Sequence, residues 1–244
     1  MNRNLIIVPV VLGVAMTERC VQSALAQDIA GGVEVLAIDN GSTDGVSHLL
    51  RSLDVAYWPR SRRSLNRIWN EALSYAFDCH MLPYALVINN DLVLRPDTYR
   101  LLVEDGGQFV TGVSVSDPAQ TEQCDPKSKS PHPSFSCFLV RREVWQHAGQ
   151  FDERYWAYCS DADYHLRMDR LGIDAYSLAV PFLHEVSGTM KHMSDNERDE
   201  LQQQADADRV LFEKCYGFKV GSTEYYSSFR SARENKYATS GRLD

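Results

Sequence analysis

The chain has 244 residues and a mass of 27.7 kDa; 44% of the residues are hydrophobic and 24% charged, an ordinary globular composition with enough apolar matter for one large core. Lys and Arg number 25 against 33 Asp and Glu, so the formal charge of -8 repels polyanions and disfavours nucleic acid or an anionic membrane as partner unless a local basic patch receives it. The cysteines (Cys20, Cys79, Cys124, Cys137, Cys159, Cys215) contain no Cys-x-x-Cys pair, which argues against a zinc knuckle, a redox motif or a disulfide-stapled fold and leads us to expect a reduced, cytoplasmic protein.

Arg3 followed by the apolar run 5–16 has the look of a short secretory signal. The β-branched content of Leu5-Ile6-Ile7-Val8-Pro9-Val10-Val11 suits a buried central strand better, and the run is too short to span a bilayer. We therefore expect a first strand over 5–11 and no transmembrane segment, with peripheral attachment to a membrane left open. A helix is predicted over 17–26, a strand over 33–38, and the turn Gly41-Ser42-Thr43-Asp44-Gly45 leads into a helix ending near residue 53. A short strand at 55–58 precedes a helix over 64–79, in which Leu65, Ile68, Trp69, Ala72, Leu73 and Ala76 form one apolar stripe. The strand 84–88 follows, then a helix opened by Pro96-Asp97 with the proline at the first helical position. Short apolar runs alternating with helical patterns are the signature of βαβ units, so the fold class is α/β, with a Rossmann-like, mostly parallel central sheet flanked by helices.

The second half has a different texture. A strand over 109–115 is followed by a loop over 116–134 rich in Ser, Pro, Asp and Lys, long enough to be functional. Beyond it come a strand over 135–140, a short helix over 141–147, and a helix over 160–171 with Ser160 and Asp163 spaced as a capping box. Residues 175–184 read as extended, Ser194-Asp195-Asn196-Glu197 opens a helix reaching about residue 216, and 217–244 show no clear period. No internal repeat or linker-like break divides the chain. A single domain over 1–220 with a tail at 221–244 is the simplest organisation.

Ligands of open α/β sheets bind beyond the carboxyl ends of the strands. One predicted strand ends in Asp39-Asn40-Gly41-Ser42 and another in Asn89-Asn90-Asp91. Taken alone, Asp39 reads equally well as a turn residue before glycine and Asp91 as a loop cap; together they can converge on a hydroxyl-rich or metal-bound ligand. The acidic-amide triplet suits a hard divalent cation that holds a diphosphate through oxygen ligands. Neither Gly-x-x-x-x-Gly-Lys nor Gly-x-Gly-x-x-Gly is present, so metal and arginine must hold any phosphates. Arg60, Arg62, Arg63 and Arg67 lie near that edge, a cluster that reads equally as a solvated charged face.

In this order the chain resembles family 2 glycosyltransferases of the GT-A fold. Val35-Leu36-Ala37-Ile38-Asp39-Asn40-Gly41-Ser42-Thr43-Asp44-Gly45 is similar to the family's second-strand signature, Asn70-Glu71-Ala72-Leu73 to its helix asparagine, and Val87-Ile88-Asn89-Asn90-Asp91 to its DXD site in the Asn-Asn-Asp form. Gly149-Gln150-Phe151-Asp152-Glu153, Ser160-Asp161-Ala162-Asp163 and His184-Glu185-Val186-Ser187-Gly188 resemble three later motifs. The resemblance implies a nucleotide-sugar half over 1–115 and an acceptor half over 116–220. It implies donor binding by Asp39, Asn40, Ser42, Arg67, Asn70, Asn89 and Asn90, and Mn2+ or Mg2+ held by Asp91 and His184. Asp161 would be the general base of an inverting transfer, with Trp156 and Asp163 on the acceptor side. The donor would be a UDP-, GDP- or dTDP-linked sugar; a glycan, a lipid-linked glycan or a small molecule would be the acceptor. Two positions depart from the family pattern: Asn89 stands where many members have aspartate, and Ser160 where the first acid of a Glu-Asp pair lies. These departures motivate the alternative of a degenerate sugar-nucleotide or glycan binder. A nucleotidyltransferase is the other alternative, against which the single glycine of Val10-Val11-Leu12-Gly13-Val14-Ala15 counts.

Overall fold

Seven consecutive buried residues form the first strand, β1 (Asn4–Val10), and it lies inside the sheet rather than at an edge. A strand covered on both faces needs apolar side chains at odd and even positions alike, which is why residues 5–10 show no alternation. Leu5 and Ile7 enter one core with Leu36, Ile38, Ile68 and Trp69. Ile6, Val8 and Val10 enter the other with Val21, Val35, Leu50 and Tyr99. The chain is described by a computed structural model over residues 4–185 and 188–229; Val186, Ser187 and the tail from residue 230 lie outside the described residues.

Parallel pairing joins β1 to β2 (Val33–Asn40) and to β4 (Tyr84–Ile88), and β2 to β3 (Ala56–Arg60). Helices α1 (Val14–Leu25), α2 (Val46–Ser52) and α4 (Thr98–Glu104) cover one face. Helix α3 (Leu65–Ser74), prolonged by a π-turn over Tyr75–Cys79, covers the other together with α5 (Arg142–Ala148) and α6 (Ser160–Arg170). Ser64 caps α3 by accepting from the Arg67 N–H at 3.3 Å. The proline expected to open α4 lies outside it, since the helix begins after Asp97.

Beyond β4 the sheet is mixed, so the parallel pattern expected for most of it holds for β3-β2-β1-β4. The order is β3-β2-β1-β4-β8-β6-β9-β5, where β5 is Leu92–Val93, β6 Phe109–Val115, β8 Cys137–Arg141 and β9 Ala175–His184. Strand β8 runs antiparallel to both β4 and β6, whereas β9 is parallel to β6 and antiparallel to β5.

The segment 116–134 is not the plain loop its composition predicts. A 3-10 turn over Pro118–Glu122 leads into β7 (Asp125–Ser130), antiparallel to β9. Nothing apolar in Asp-Pro-Lys-Ser-Lys-Ser announces a strand. Backbone pairing holds it, and Lys129 Nζ lies 2.9 Å from Asp105 Oδ1 and 2.9 Å from the Tyr176 hydroxyl.

Helix α6 also departs from expectation. Its N-cap is Cys159, held at φ 58° with no side-chain cap bond, so Ser160 and Asp163 form no capping box. The box that does form belongs to α7 (Asp195–Tyr216), between Ser194 and Glu197. Within the region expected to lack period, Ser222 caps α8 (Thr223–Ser228), and Tyr225 and Phe229 pack with Phe212, Tyr155 and Leu166, fastening α7 and α8 to α6. Among the described residues no helix is long and apolar enough to cross a membrane.

Candidate active site

The carboxyl ends of β1, β2 and β4 open onto one cleft of about 400 Å³. Pro9 and Val11, Asn40, and the triplet Asn89, Asn90 and Asp91 form its floor, with Arg62 and Arg63 along one side. The opposite wall comes from residues far away in sequence: Trp156, Ala157 and Tyr158, then Met190, Met193 and Leu201.

Asp91 and His184 face each other across the β5–β9 pair, in which Leu92 is in register with His184. The Glu185 N–H donates to the Asp91 carbonyl at 2.9 Å, and His184 Nε2 lies 3.3 Å from Asp91 Oδ1. Ser114 Oγ sits 3.1 Å from His184 Nδ1. In the tautomer with the proton on Nδ1 facing Ser114, Nε2 would present a lone pair to the Asp91 carboxylate, a pairing that a cation between them would relieve. Asp91 Oδ1 is buried without a hydrogen-bond partner. The 3.3 Å spacing is also near the separation of about 3 Å expected for neighbouring octahedral ligands with bonds of about 2.1 Å. Among the described residues no group of three or more His, Cys, Asp or Glu side chains is placed to hold a metal by itself. One carboxylate and one imidazole therefore fit an ion of the Mg2+ or Mn2+ kind only with substrate phosphate and water completing the shell.

Several predicted donor residues are tied up within the protein: Asp39 and Ser42 do not line the cleft, whereas Asn40 and Asn90 line it with side chains already hydrogen-bonded. The Asp39 carboxylate is buried, accepts from the Ser42 N–H at 2.9 Å and from Ser47 Oγ at 2.5 Å, and lies 3.4 Å from the Tyr57 hydroxyl. Ser42 Oγ in turn accepts from the Leu12 N–H at 3.1 Å. Asn40 braces the loop after β3 from both sides, donating to the Arg63 carbonyl at 2.9 Å and accepting its N–H at 3.0 Å. Gly41, at φ +81°, lets that loop approach: a Cβ there would stand 2.9 Å from the Arg62 nitrogen. Asn90 donates to the Leu12 carbonyl at 3.1 Å and to Thr17 Oγ1 at 3.0 Å, tying the triplet to the first loop.

Arg67 and Asn70 are not brought to the cleft. Arg67 is exposed on α3 because Ile68, Trp69, Ala72 and Leu73 turn the opposite face to the core. Asn70 is buried beneath the loop before α6, where its side chain donates to the Phe151 carbonyl at 2.9 Å and accepts the Phe151 N–H at 2.8 Å. Arg62 and Arg63 line the cleft instead, and Glu71 engages Arg60 and also lies 3.5 Å from Arg63.

A second cleft, of about 440 Å³, adjoins the first and shares Leu65, Asn89, Ala157 and Tyr158 with it. Asp161 lies in it. Its side chain is solvent-exposed, yet protein surrounds it closely enough that desolvation raises its carboxyl above the ordinary value, against the Ala162 N–H it accepts at 2.8 Å. Trp156, expected on the acceptor side, lines the first cleft instead. Asp163 is buried away from both, its oxygens engaged at 2.9 Å by Arg167 Nε and at 2.7 Å by the Tyr216 hydroxyl.

Two contributors escaped the sequence reading. Trp69 was placed in the core by its helical spacing, and it does pack on Phe138 and Phe151, but it also lines the second cleft. Asp208, 2% exposed, accepts the N–H groups of Trp156, Ala157 and Tyr158 at 2.8, 3.0 and 2.9 Å and so holds the wall common to both clefts. Its signal was its phase: it shares the buried stripe of α7 with Ala205 and Phe212.

No curated protein matches the chain. Among solved structures it is similar to the mannosyltransferase PcManGT from Pyrobaculum calidifontis in complex with GDP-Man and Mn2+, at 16% identity and a TM-score of 0.58 over 98% of this chain and 76% of that one. Glucosyl-3-phosphoglycerate synthase from Mycobacterium tuberculosis, in complex with Mn2+, UDP and phosphoglyceric acid, is similar at 16% identity and a TM-score of 0.60 over 88% of this chain and 79% of that one. S. aureus TarS 1-349 gives 12% identity and a TM-score of 0.57 over 96% and 83%. At such identities the likeness shows the fold, which is GT-A. The family model described as glycosyl transferase family 2 matches residues 5–161, from β1 through the Asn-Asn-Asp triplet to Asp161, and the chain is thus a glycosyltransferase belonging to glycosyl transferase family 2.

Proposed function

We propose that the chain transfers a sugar from a nucleoside-diphosphate sugar, bound in the first cleft, to a hydroxyl presented in the second, with inversion at the anomeric carbon. The observation that carries this reading is the junction of the two clefts: the Asp91–His184 pair lies in one, Asp161 in the other, and Asn89 lines both. Asp91 and His184 would hold a divalent ion, which when bound supplies electrostatic stabilisation of the departing diphosphate. Arg62 and Arg63, on the same side of the cleft, would donate to phosphate oxygens. Asp161 would accept the proton of the acceptor hydroxyl as its oxygen bonds the anomeric carbon and the bond to the diphosphate breaks. Its raised pKa brings its basicity closer to the working pH. This assignment of donor class, metal and base draws its support from the family, the cleft geometry and the Mn2+ complexes of the similar structures.

A nucleotidyltransferase would need the loop after β1 to cradle phosphate. Here the Leu12 N–H is taken by Ser42 and the Gly13 N–H by Asp44, so those two donors are already engaged within the protein. A binder without transfer is favoured by one observation, that Ser160 stands where the family's first acid lies and its Oγ has no hydrogen-bond partner.

Titration of UDP-, GDP- and dTDP-sugars with Mn2+, followed by hydrolysis of whichever binds, tests the proposal. We expect one nucleotide class to bind in a metal-dependent manner and to be slowly hydrolysed, and Asp91→Ala to lose the metal-dependent binding while remaining folded. Tight binding by Asp91→Ala in EDTA would overturn the metal assignment, and donor binding without hydrolysis or transfer would favour the binder.

A further inference from the structure

The second cleft contrasts with the first in charge. Arg62 and Arg63 line the donor side, whereas among the described residues no Lys or Arg lines the second cleft. Arg209 comes near it, stacked 5.6 Å from the Tyr158 ring centroid, but Arg209 is paired with Asp206 at 2.7 Å. The fixed charge that lines the cleft is the Asp161 carboxylate. Asp208 adds a second carboxylate behind the Trp156–Tyr158 wall, held by three N–H groups rather than by a cation.

The rest of the lining is neutral and hydrogen-bonding. Trp69 and Ser160 both line the cleft, are 3% and 2% exposed, and have Nε1 and Oγ without a hydrogen-bond partner. Buried polar groups are seldom left so, and each needs a partner. Both atoms are covered by neighbouring groups, so a ligand would reach them only if side chains of the wall moved aside. Ser134 and Ser136 also line the cleft, and Tyr158 offers a partly exposed aromatic face. An indole N–H that only donates, serine hydroxyls that do both and a carboxylate that only accepts match a ring of hydroxyls, while the aromatic face suits the C–H side of a sugar. The volume of about 440 Å³ lies within the range of about 300 to 1,000 Å³ of small-ligand sites.

We propose that the acceptor is uncharged where it enters this cleft: a neutral sugar or polyol whose hydroxyls are read by Trp69, Ser160 and Asp161, with no phosphate or carboxylate beside the reacting hydroxyl. An anionic group placed there would meet Asp161 with no arginine or lysine among the described lining residues to compensate it. The substrate class inferred here rests on the glycosyl-transfer reading of the preceding section, and its test keeps the two apart.

The test uses the full chain with 15N-labelled tryptophan, the Trp69 indole N–H signal being assigned from the Trp69→Phe spectrum. Neutral methyl hexosides are titrated beside the corresponding methyl uronides and hexoside 6-phosphates, with donor hydrolysis in Mn2+ measured on the same preparation. We expect neutral members to shift the Trp69 signal and to bind at least about tenfold more tightly than their anionic counterparts. Ser136→Arg should narrow or reverse that preference. Anionic members binding as well as or better than neutral ones would overturn the proposal, and so would the absence of any response to the neutral panel. A Trp69 response to neutral sugars without donor hydrolysis would support the pocket's selectivity and remove the transfer reading instead.

Discussion

Asp161 combines solvent access with dense surrounding protein, and the two have opposite consequences for stability and activity. Desolvation raises its carboxyl, so the folded chain binds that proton more tightly than the unfolded chain. The stability this contributes is present below the unfolded value of 3.8 and is lost as pH rises through the raised folded value. At neutral pH the ionised group is therefore a burden on the fold, and Asp161→Asn should raise the melting temperature at pH 7, with the gain vanishing in acid. If Asp161 is the base, the same variant keeps donor affinity while turnover falls by about 10² or more, and the acid limb of the kcat profile disappears. A lowered melting temperature with unchanged turnover would assign it to helix support alone. Gly41 acts differently, through backbone conformation. Gly41→Ala places a Cβ at φ +81° and 2.9 Å from the Arg62 nitrogen, and should cost about 1 to 3 kcal/mol, read as a lower denaturant midpoint at constant slope. Donor affinity should weaken in parallel, because Arg62 and Arg63 lie on the displaced loop.

Helix α7 governs both clefts although it supplies few of their lining residues. It presents Asp208 to three successive N–H groups, and those groups belong to the segment that walls both sites. In Asp208→Asn one oxygen becomes an amide nitrogen. Because the Ala157 and Tyr158 N–H groups share Oδ2, at least one buried donor loses its acceptor. We expect a loss of about 3 kcal/mol in chemical denaturation, with weaker donor binding; a stability within experimental error of the parent would show that the wall is held by something else. This is also where the sequence was least legible. Strands such as β1 and β4 declared themselves because burial on both faces demands unbroken apolar runs, and Asp39 and Asp91 because they follow such runs. Strand β7 could not be read: its six residues, Asp-Pro-Lys-Ser-Lys-Ser, pair through the backbone with β9 and anchor through Lys129, a contact that exists only after Asp105 and Tyr176 are folded beside it. Asp163 misled for a related reason. Its spacing from Ser160 fits a capping box, but Cys159 turns into the left-handed region, and Arg167 and Tyr216 claim the carboxylate. Local spacing was reliable where the partner is local, as for Ser194 with Glu197, and silent where the partner arrives from another element.

At the scale of the whole molecule, one sheet carries two kinds of pairing, parallel from β3 to β4 and mixed from β8 to β5, and the first cleft draws on both. Its floor comes from the ends of β1, β2 and β4, while His184 comes from the end of β9 and the far wall from the segment held by α7. Since the sheet is continuous and two cores run its length, melting should be a single cooperative transition. A donor bound in the first cleft, as proposed, would touch parts of the chain from residue 9 to residue 201, so its binding energy would add to the stability of the entire unit. With nucleotide sugar and Mn2+ at about 100 times the dissociation constant the gain is about 2.7 kcal/mol, which for a domain of this size corresponds to a rise of about 5 to 11 °C. If the ion proposed at Asp91 and His184 is what anchors the diphosphate beside Arg62 and Arg63, EDTA should cancel the shift, and Asp91→Ala should show none with or without Mn2+. Two separate transitions, only one of them moved by donor and metal, would show instead that the site belongs to the parallel half alone.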